Sequence, residues 1–108
     1  MSKLENDCIS ILDYASGKEP ECRERAGTWV SIVEIADARC IPDSTIRNIF
    51  AIAKAGVFIK YDGDRTSIHN DVFDKIAKKF RFDYKIRKMR GKDGRIGWHI
   101  SAISMGYP

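Results

Sequence analysis

The residue that most constrains this chain is Pro42, which stands between two helical patterns in residues 31–50, SIVEIADARCIPDSTIRNIF. A pyrrolidine ring cannot continue a helix interior but is well suited to a helix start. The chain must therefore turn within Cys40-Ile41-Pro42 and begin a second helix at once. Upstream, Ser31 and Glu34 have the spacing of a capping box, in which the serine oxygen accepts a first-turn N–H and the glutamate reaches back. Ile32, Ile35 and Ala36 then fall on one side. Downstream, Asp43, Ser44 and Thr45 supply capping and first-turn oxygens, and Ile46, Ile49, Phe50 and Ala53 recur at helical spacing before Gly56 closes the helix. The expectation is two short helices joined by a tight turn. The second shows Asp43, Ser44, Arg47, Asn48, Ala51 and Lys54 outward.

The rest of the chain surrounds this pair. Leu4, Cys8, Ile11, Leu12 and Ala15 predict an amphipathic helix over about residues 4–16, ended at Gly17. Its default role is packing on the core of its own domain; packing on a partner subunit is the second option. Residues 17–27 have the composition of an exposed loop, and residues 28–30 that of a short strand. Residues 57–61 and 65–69 read as strands about the turn Asp62-Gly63-Asp64. The two aspartates invite a metal reading, but a calcium loop needs a glutamate at its twelfth position, where Phe73 stands. Asn70 can cap a further helix with Val72, Phe73, Ile76, Ala77 and Phe80 inside and Lys75, Lys78 and Lys79 outside. After Asp83 the period becomes alternating. Tyr84 and Ile86 share a face of one strand, Ile96, Trp98, Ile100 and Ala102 share a face of the next, and residues 91–94 make the turn. The last five residues, SMGYP, read as a frayed tail. The whole is an α+β chain of 108 residues, the size of one domain.

Charge is divided unevenly. Residues 1–43 hold five basic and nine acidic side chains, whereas residues 44–108 hold fourteen and six. Between Lys75 and Arg95 there are ten basic residues to two acidic. Such a concentration is expected where one side of a fold faces a polyanion. The alternative for the hairpin lysines is protection of a sheet edge from aggregation. Six basic residues in the eleven from Lys85 to Arg95 exceed what that role requires.

Other functional classes find less support. No apolar run approaches the roughly 18 residues of a membrane span, and no secretory segment is visible, so the expected location is cytoplasmic, without a membrane partner. The three cysteines, Cys8, Cys22 and Cys40, have neither disulfide-framework nor zinc-ribbon spacing. Cys8 and Cys40 fall on apolar stripes, and Cys22 sits in the polar loop, where it could be exposed. His69 and His99 stand apart, no Ser or Cys has a base at a motif spacing, and no glycine loop cradles a phosphate. Neither an enzyme nor a bound cofactor or metal is expected.

Ala36, the turn through Cys40 and Ile41, Ile46 and Ile49 resemble the hydrophobic skeleton of the helix-turn-helix. The continuation IAKAGVFIKYDGDRTSIHND resembles the winged form of that superfamily. The likeness covers about residues 28–70, and Cys40 departs from it at a turn position often held by glycine. It implies a winged helix-turn-helix with an N-terminal helix, a short wing hairpin, a further helix and a C-terminal basic hairpin. In it residues 31–55 are the helix-turn-helix, 57–69 the wing, and 70–104 the last helix and hairpin. It also implies sequence-specific binding of double-stranded DNA by a small transcriptional regulator, commonly a homodimer on paired half-sites. Ser44, Arg47, Asn48 and Ala51 then occupy base-contacting positions. Thr45, Lys54, Arg65, Lys85, Arg87, Lys88, Arg90, Lys92 and Arg95 are candidates for phosphate contact. The alternative is a protein-interaction module of the same fold, with the acidic first half as its working face. Stacking of single-stranded nucleic acid on Tyr84 and Trp98 is a third option, set against the burial expected of Trp98 between Ile96 and Ile100.

Overall fold

The computed structural model describes residues 3–55, 59–61, 65–67 and 72–105. For residues 20, 52, 54, 55, 59–61 and 65–67 it describes the backbone. The chain begins with α1 (Lys3–Ala15), which buries Cys8, Ile11, Leu12 and Ala15 as its apolar spacing requires. Gly17 ends α1 in the left-handed region at φ +68°, where Lys18 N–H reaches Asp13 O at 3.1 Å and Gly17 N–H reaches Tyr14 O at 3.2 Å. These paired bonds satisfy the carbonyls that a helix end leaves open. A Cβ at Gly17 would lie 2.6 Å from the Arg23 carbonyl oxygen, so the close return of the chain also needs glycine there.

That return is a 3₁₀ turn, Pro20–Arg25. It corrects the placement of Cys22, which is not an exposed loop residue. The turn folds back against the end of α1 and leaves Cys22 only 2% exposed, its Sγ 3.7 Å from Asp13 O and 3.5 Å from Glu19 O.

A two-residue strand β1 (Val30–Ser31) leads directly into α2 (Ile32–Arg39). Ser31 Oγ accepts the Glu34 N–H at 3.2 Å, half of the expected capping box. The Glu34 carboxylate turns elsewhere: it accepts from Tyr14 Oη at 2.6 Å and from Arg25 Nε, tying α1 and the 3₁₀ turn to α2. Cys40 ends α2 in the left-handed conformation, φ 54° and ψ 43°, with its N–H donated to Ala36 O. The position thus keeps the conformation usually served by glycine while carrying a side chain. This conformation accompanies an exposed Cys40, against the apolar stripe that helical spacing suggests. Ile41 is buried instead.

The second helix of the pair, α3 (Asp43–Ala55), starts with Thr45 and Ile46 donating to Pro42 O. It buries Ile46, Ile49 and Phe50. Beyond it, β2 (Ile59–Tyr61) and β3 (Arg65–Ser67) pair antiparallel as a two-stranded sheet of their own. The turn Asp62-Gly63-Asp64 and the caps expected at Gly56 and Asn70 lie outside the described residues. Next, α4 (Val72–Lys79) buries Phe73, Ile76 and Ala77 and leaves Lys75, Lys78 and Lys79 exposed. The hairpin of β4 (Phe82–Arg90) and β5 (Ile96–Ser104) completes the chain. Met105 N–H still reaches Arg81 O at 2.7 Å, so the tail stays tied to the start of β4 one residue beyond the strand.

The three-stranded sheet has the order β1-β5-β4. Its register sets Val30 and Ile86 against Ile100, and Tyr84 against Ala102. One face lies on the helices. Phe73 joins the layers, its ring edge-on to Phe50 of α3 at 6.1 Å and to Tyr84 of β4 at 4.9 Å. Cys8, Ile11, Ile35, Ile46, Phe50, Phe73 and Ile100 belong to one continuous core cluster, so the helices and this sheet form one packed α+β unit. No helix among the described residues is long and apolar enough to cross a membrane.

Candidate functional site

The outward face of α3 presents Ser44, Arg47, Asn48 and Ala51, all exposed, at the i, i+3, i+4, i+7 spacing of a single helical stripe. Burial of Ile46, Ile49 and Phe50 fixes that orientation. Thr45 is half-buried on the first turn, and Asp43 and Arg47 meet across one turn, Oδ2 to Nη1 at 3.5 Å. The Lys54 and Arg65 side chains lie outside the described residues.

The remaining basic candidates lie on the β4–β5 hairpin, but not on one face. Alternation puts Phe82, Tyr84, Ile86, Lys88 and Arg90 on the side that packs on the helices, and Asp83, Lys85, Arg87 and Met89 on the other. On the helix side, the Lys88 ammonium sits 5.5 Å from the ring centre of its cross-strand neighbour Trp98. Trp98 is half-buried against the core, while Ile96, two residues nearer the tip, is 65% exposed. On the far side, Arg87 reaches across the central strand to lie 5.1 Å from the Trp29 ring centre. Such contacts cover the aromatic ring and hold the cation while leaving charge at the surface.

The tip is ordered by its own bonds. Gly91 N–H and Arg95 O close the hairpin at 2.8 Å, Asp93 Oδ1 accepts from Arg95 N–H at 2.9 Å, and Arg90 Nη1 donates to Gly94 O at 2.6 Å. Gly94 takes φ +84°, as the turn demands. Lys92 and Arg95 are exposed there. The tip therefore carries its positive charge on a defined loop, at the end of a hairpin whose strand β4 lies against α3 and α4.

His99 is buried, 6% exposed on the far face, with Nδ1 3.0 Å from Gly97 O. Burial pushes the Cys8 thiol up to about 12, helped by Asp7 and Glu5, so Cys8 serves as packing at neutral pH. A shallow groove of about 470 Å³ lies between the end of α3, α4 and β4. Its Asp74 is already engaged by Tyr84 Oη at 3.1 Å and Lys78 Nζ at 2.9 Å.

Two features escaped the sequence reading. The division of the hairpin cations into two faces was present in the alternation of Lys85 and Arg87 against Lys88 and Arg90, once the inner face was known from Tyr84 and Ile86. The Trp29–Arg87 contact had no local signal, because it depends on β1 pairing with β5.

Compared with protein-family models, with curated proteins and with solved structures, the chain matches none.

Proposed function

We propose that the protein binds double-stranded DNA with sequence preference, as a small homodimeric transcriptional regulator of winged helix-turn-helix type. The observation that carries this reading is the exposed stripe Ser44, Arg47, Asn48 and Ala51 on a helix whose opposite face is packed in the core and which follows the tight turn at Cys40-Ile41-Pro42. A helix about 10–12 Å across fits the major groove. There arginine can donate two bonds to guanine and asparagine can pair with adenine. Small neighbours such as Ser44 and Ala51 allow close approach.

We assign the role of the wing to the β4–β5 hairpin in place of residues 57–69. It belongs to the sheet that packs against α3, whereas β2 and β3 pair only with each other among the described residues. Lys88, Arg90, Lys92 and Arg95 then supply phosphate contacts beside the groove that α3 enters. Lys85 and Arg87 face the other way and contribute long-range attraction. The protein-docking alternative relies on an acidic first half. Four of its nine acids are engaged internally, in the pairs Lys3–Asp7, Lys18–Asp13, Arg39–Glu19 and Arg25–Glu34.

A titration with nonspecific duplex at two salt concentrations tests both statements. Affinity is expected to fall steeply with salt, since each neutralised phosphate contributes a slope of about −0.9 in log K against log salt. Exchanging Lys88 and Arg90 for glutamine is expected to flatten that slope by about 2 and weaken specific and nonspecific complexes alike. The same exchange at Lys85 and Arg87 is expected to change it by less. Equal slopes for the two double variants would remove the wing assignment, and no binding at low salt would remove the DNA reading.

A further inference from the structure

Asp43 is the residue least suited to a surface that approaches phosphate, and its position is not explained by capping. The first-turn N–H groups of Thr45 and Ile46 are accepted by Pro42 O at 3.0 and 3.2 Å. The Asp43 carboxylate instead meets the Arg47 guanidinium, Oδ2 to Nη1 at 3.5 Å, with the two side chains 48% and 51% exposed. A guanidinium carries five N–H donors in a rigid fork, and the two that address a guanine edge need only part of it. Arg47 can therefore keep one terminal nitrogen on Asp43 and still present a pair of donors outward. The contact also narrows the rotamers of a side chain that otherwise loses substantial freedom on binding.

We infer that Asp43 is a positioning and specificity-determining residue for Arg47, steering its guanidinium toward guanine and disfavouring duplexes where Arg47 finds no such partner. The inference rests on the DNA-binding reading above. When Arg47 engages a guanine, the carboxylate is balanced by a cation held in place. When Arg47 swings to a phosphate instead, Asp43 is left uncompensated beside the polyanion. The pair thus combines an attractive element for the right base with a repulsive one against wrong sites. A purely structural role is the competing explanation: an acid in the first turn suits the helix dipole, and an i, i+4 pair supports the helix by a small amount. Such a role would alter helix stability without altering base preference.

The experiment selects duplexes from a random pool with the unmodified chain. It then measures affinity for the selected duplex and for a nonspecific one in Asp43→Asn, Asp43→Glu, Arg47→Ala and Asp43→Asn/Arg47→Ala, with thermal unfolding as the control for folding. Asp43→Asn is expected to tighten nonspecific binding about 2- to 3-fold, through loss of one repulsive charge. It is also expected to lower the ratio of specific to nonspecific affinity by about 5-fold or more. Asp43→Glu, which keeps the carboxylate, is expected to retain most of the ratio. In the Arg47→Ala background the exchange should leave the ratio unchanged. An unaltered ratio in Asp43→Asn, or an equal loss with and without Arg47, overturns the assignment while leaving DNA binding intact. A chain that selects no duplex overturns the DNA reading and this inference with it.

Discussion

Phe73→Ala is expected to destabilise the protein by about 3–5 kcal/mol, the range for removing a buried aromatic ring and leaving a cavity. Phe73 is 2% exposed, and its ring meets those of Phe50 and Tyr84 edge-on, so one side chain joins α3, α4 and β4. Edge-to-face pairs add about 0.5–1.5 kcal/mol each beyond the area they bury. A domain of this size has a total stability of roughly 5–15 kcal/mol, so the loss would move a large share of its margin. Urea unfolding followed by circular dichroism measures it, the midpoint falling while the slope stays unchanged. A loss below about 1 kcal/mol would mean that α4 decorates the core instead of completing it. The exposed stripe of α3 would then rest on fewer supports than the packing indicates.

The second large effect concerns recognition. Arg47→Ala and Asn48→Ala are each expected to cost about 1–3 kcal/mol in binding to the preferred duplex, between roughly 5- and 150-fold. Nonspecific affinity should fall much less, because neither residue is needed for the phosphate contacts assigned to the hairpin. Both side chains are exposed on α3, and the buried row Ile46, Ile49 and Phe50 is untouched by either exchange, so stability should change by no more than about 0.5 kcal/mol. Fluorescence anisotropy with the selected duplex and a scrambled one separates the two affinities. Arg47→Ala with unchanged discrimination would mean that another element reads the bases.

Much of the fold could be read before any coordinates. The helical spacing of Cys8, Ile11, Leu12 and Ala15, the break at Pro42, and the alternation of Tyr84, Ile86, Ile100 and Ala102 are local patterns, and the elements followed them. What could not be read is nonlocal. Whether residues 57–69 or the basic hairpin would share a sheet with the helix pair depends on β1, two residues long, pairing with β5 some seventy positions later. Cys22 had every local mark of exposure, yet the bonds at Gly17 turn the chain so that it packs back on α1. Glu34 was expected to complete a capping box, but Tyr14 and Arg25, brought close by the same fold-back, offer its carboxylate a phenol and a guanidinium. Of the candidate site, the α3 stripe was legible because helix geometry alone determines it. The separation of Lys88 and Arg90 from Lys85 and Arg87 required knowing which hairpin face meets the core.

The measurement that bears most directly on these proposals is selection of duplexes by the unmodified chain from a random pool at moderate salt, followed by competition against bulk nonspecific DNA. The expectation is a short enriched motif containing guanine and adenine within one half-site, opposite Arg47 and Asn48. Binding to it should survive an excess of competitor, since specific complexes typically exceed nonspecific ones by about 10³ or more. Retention of duplex without any enriched sequence would contradict a base-reading α3 and leave only the charge of the hairpin.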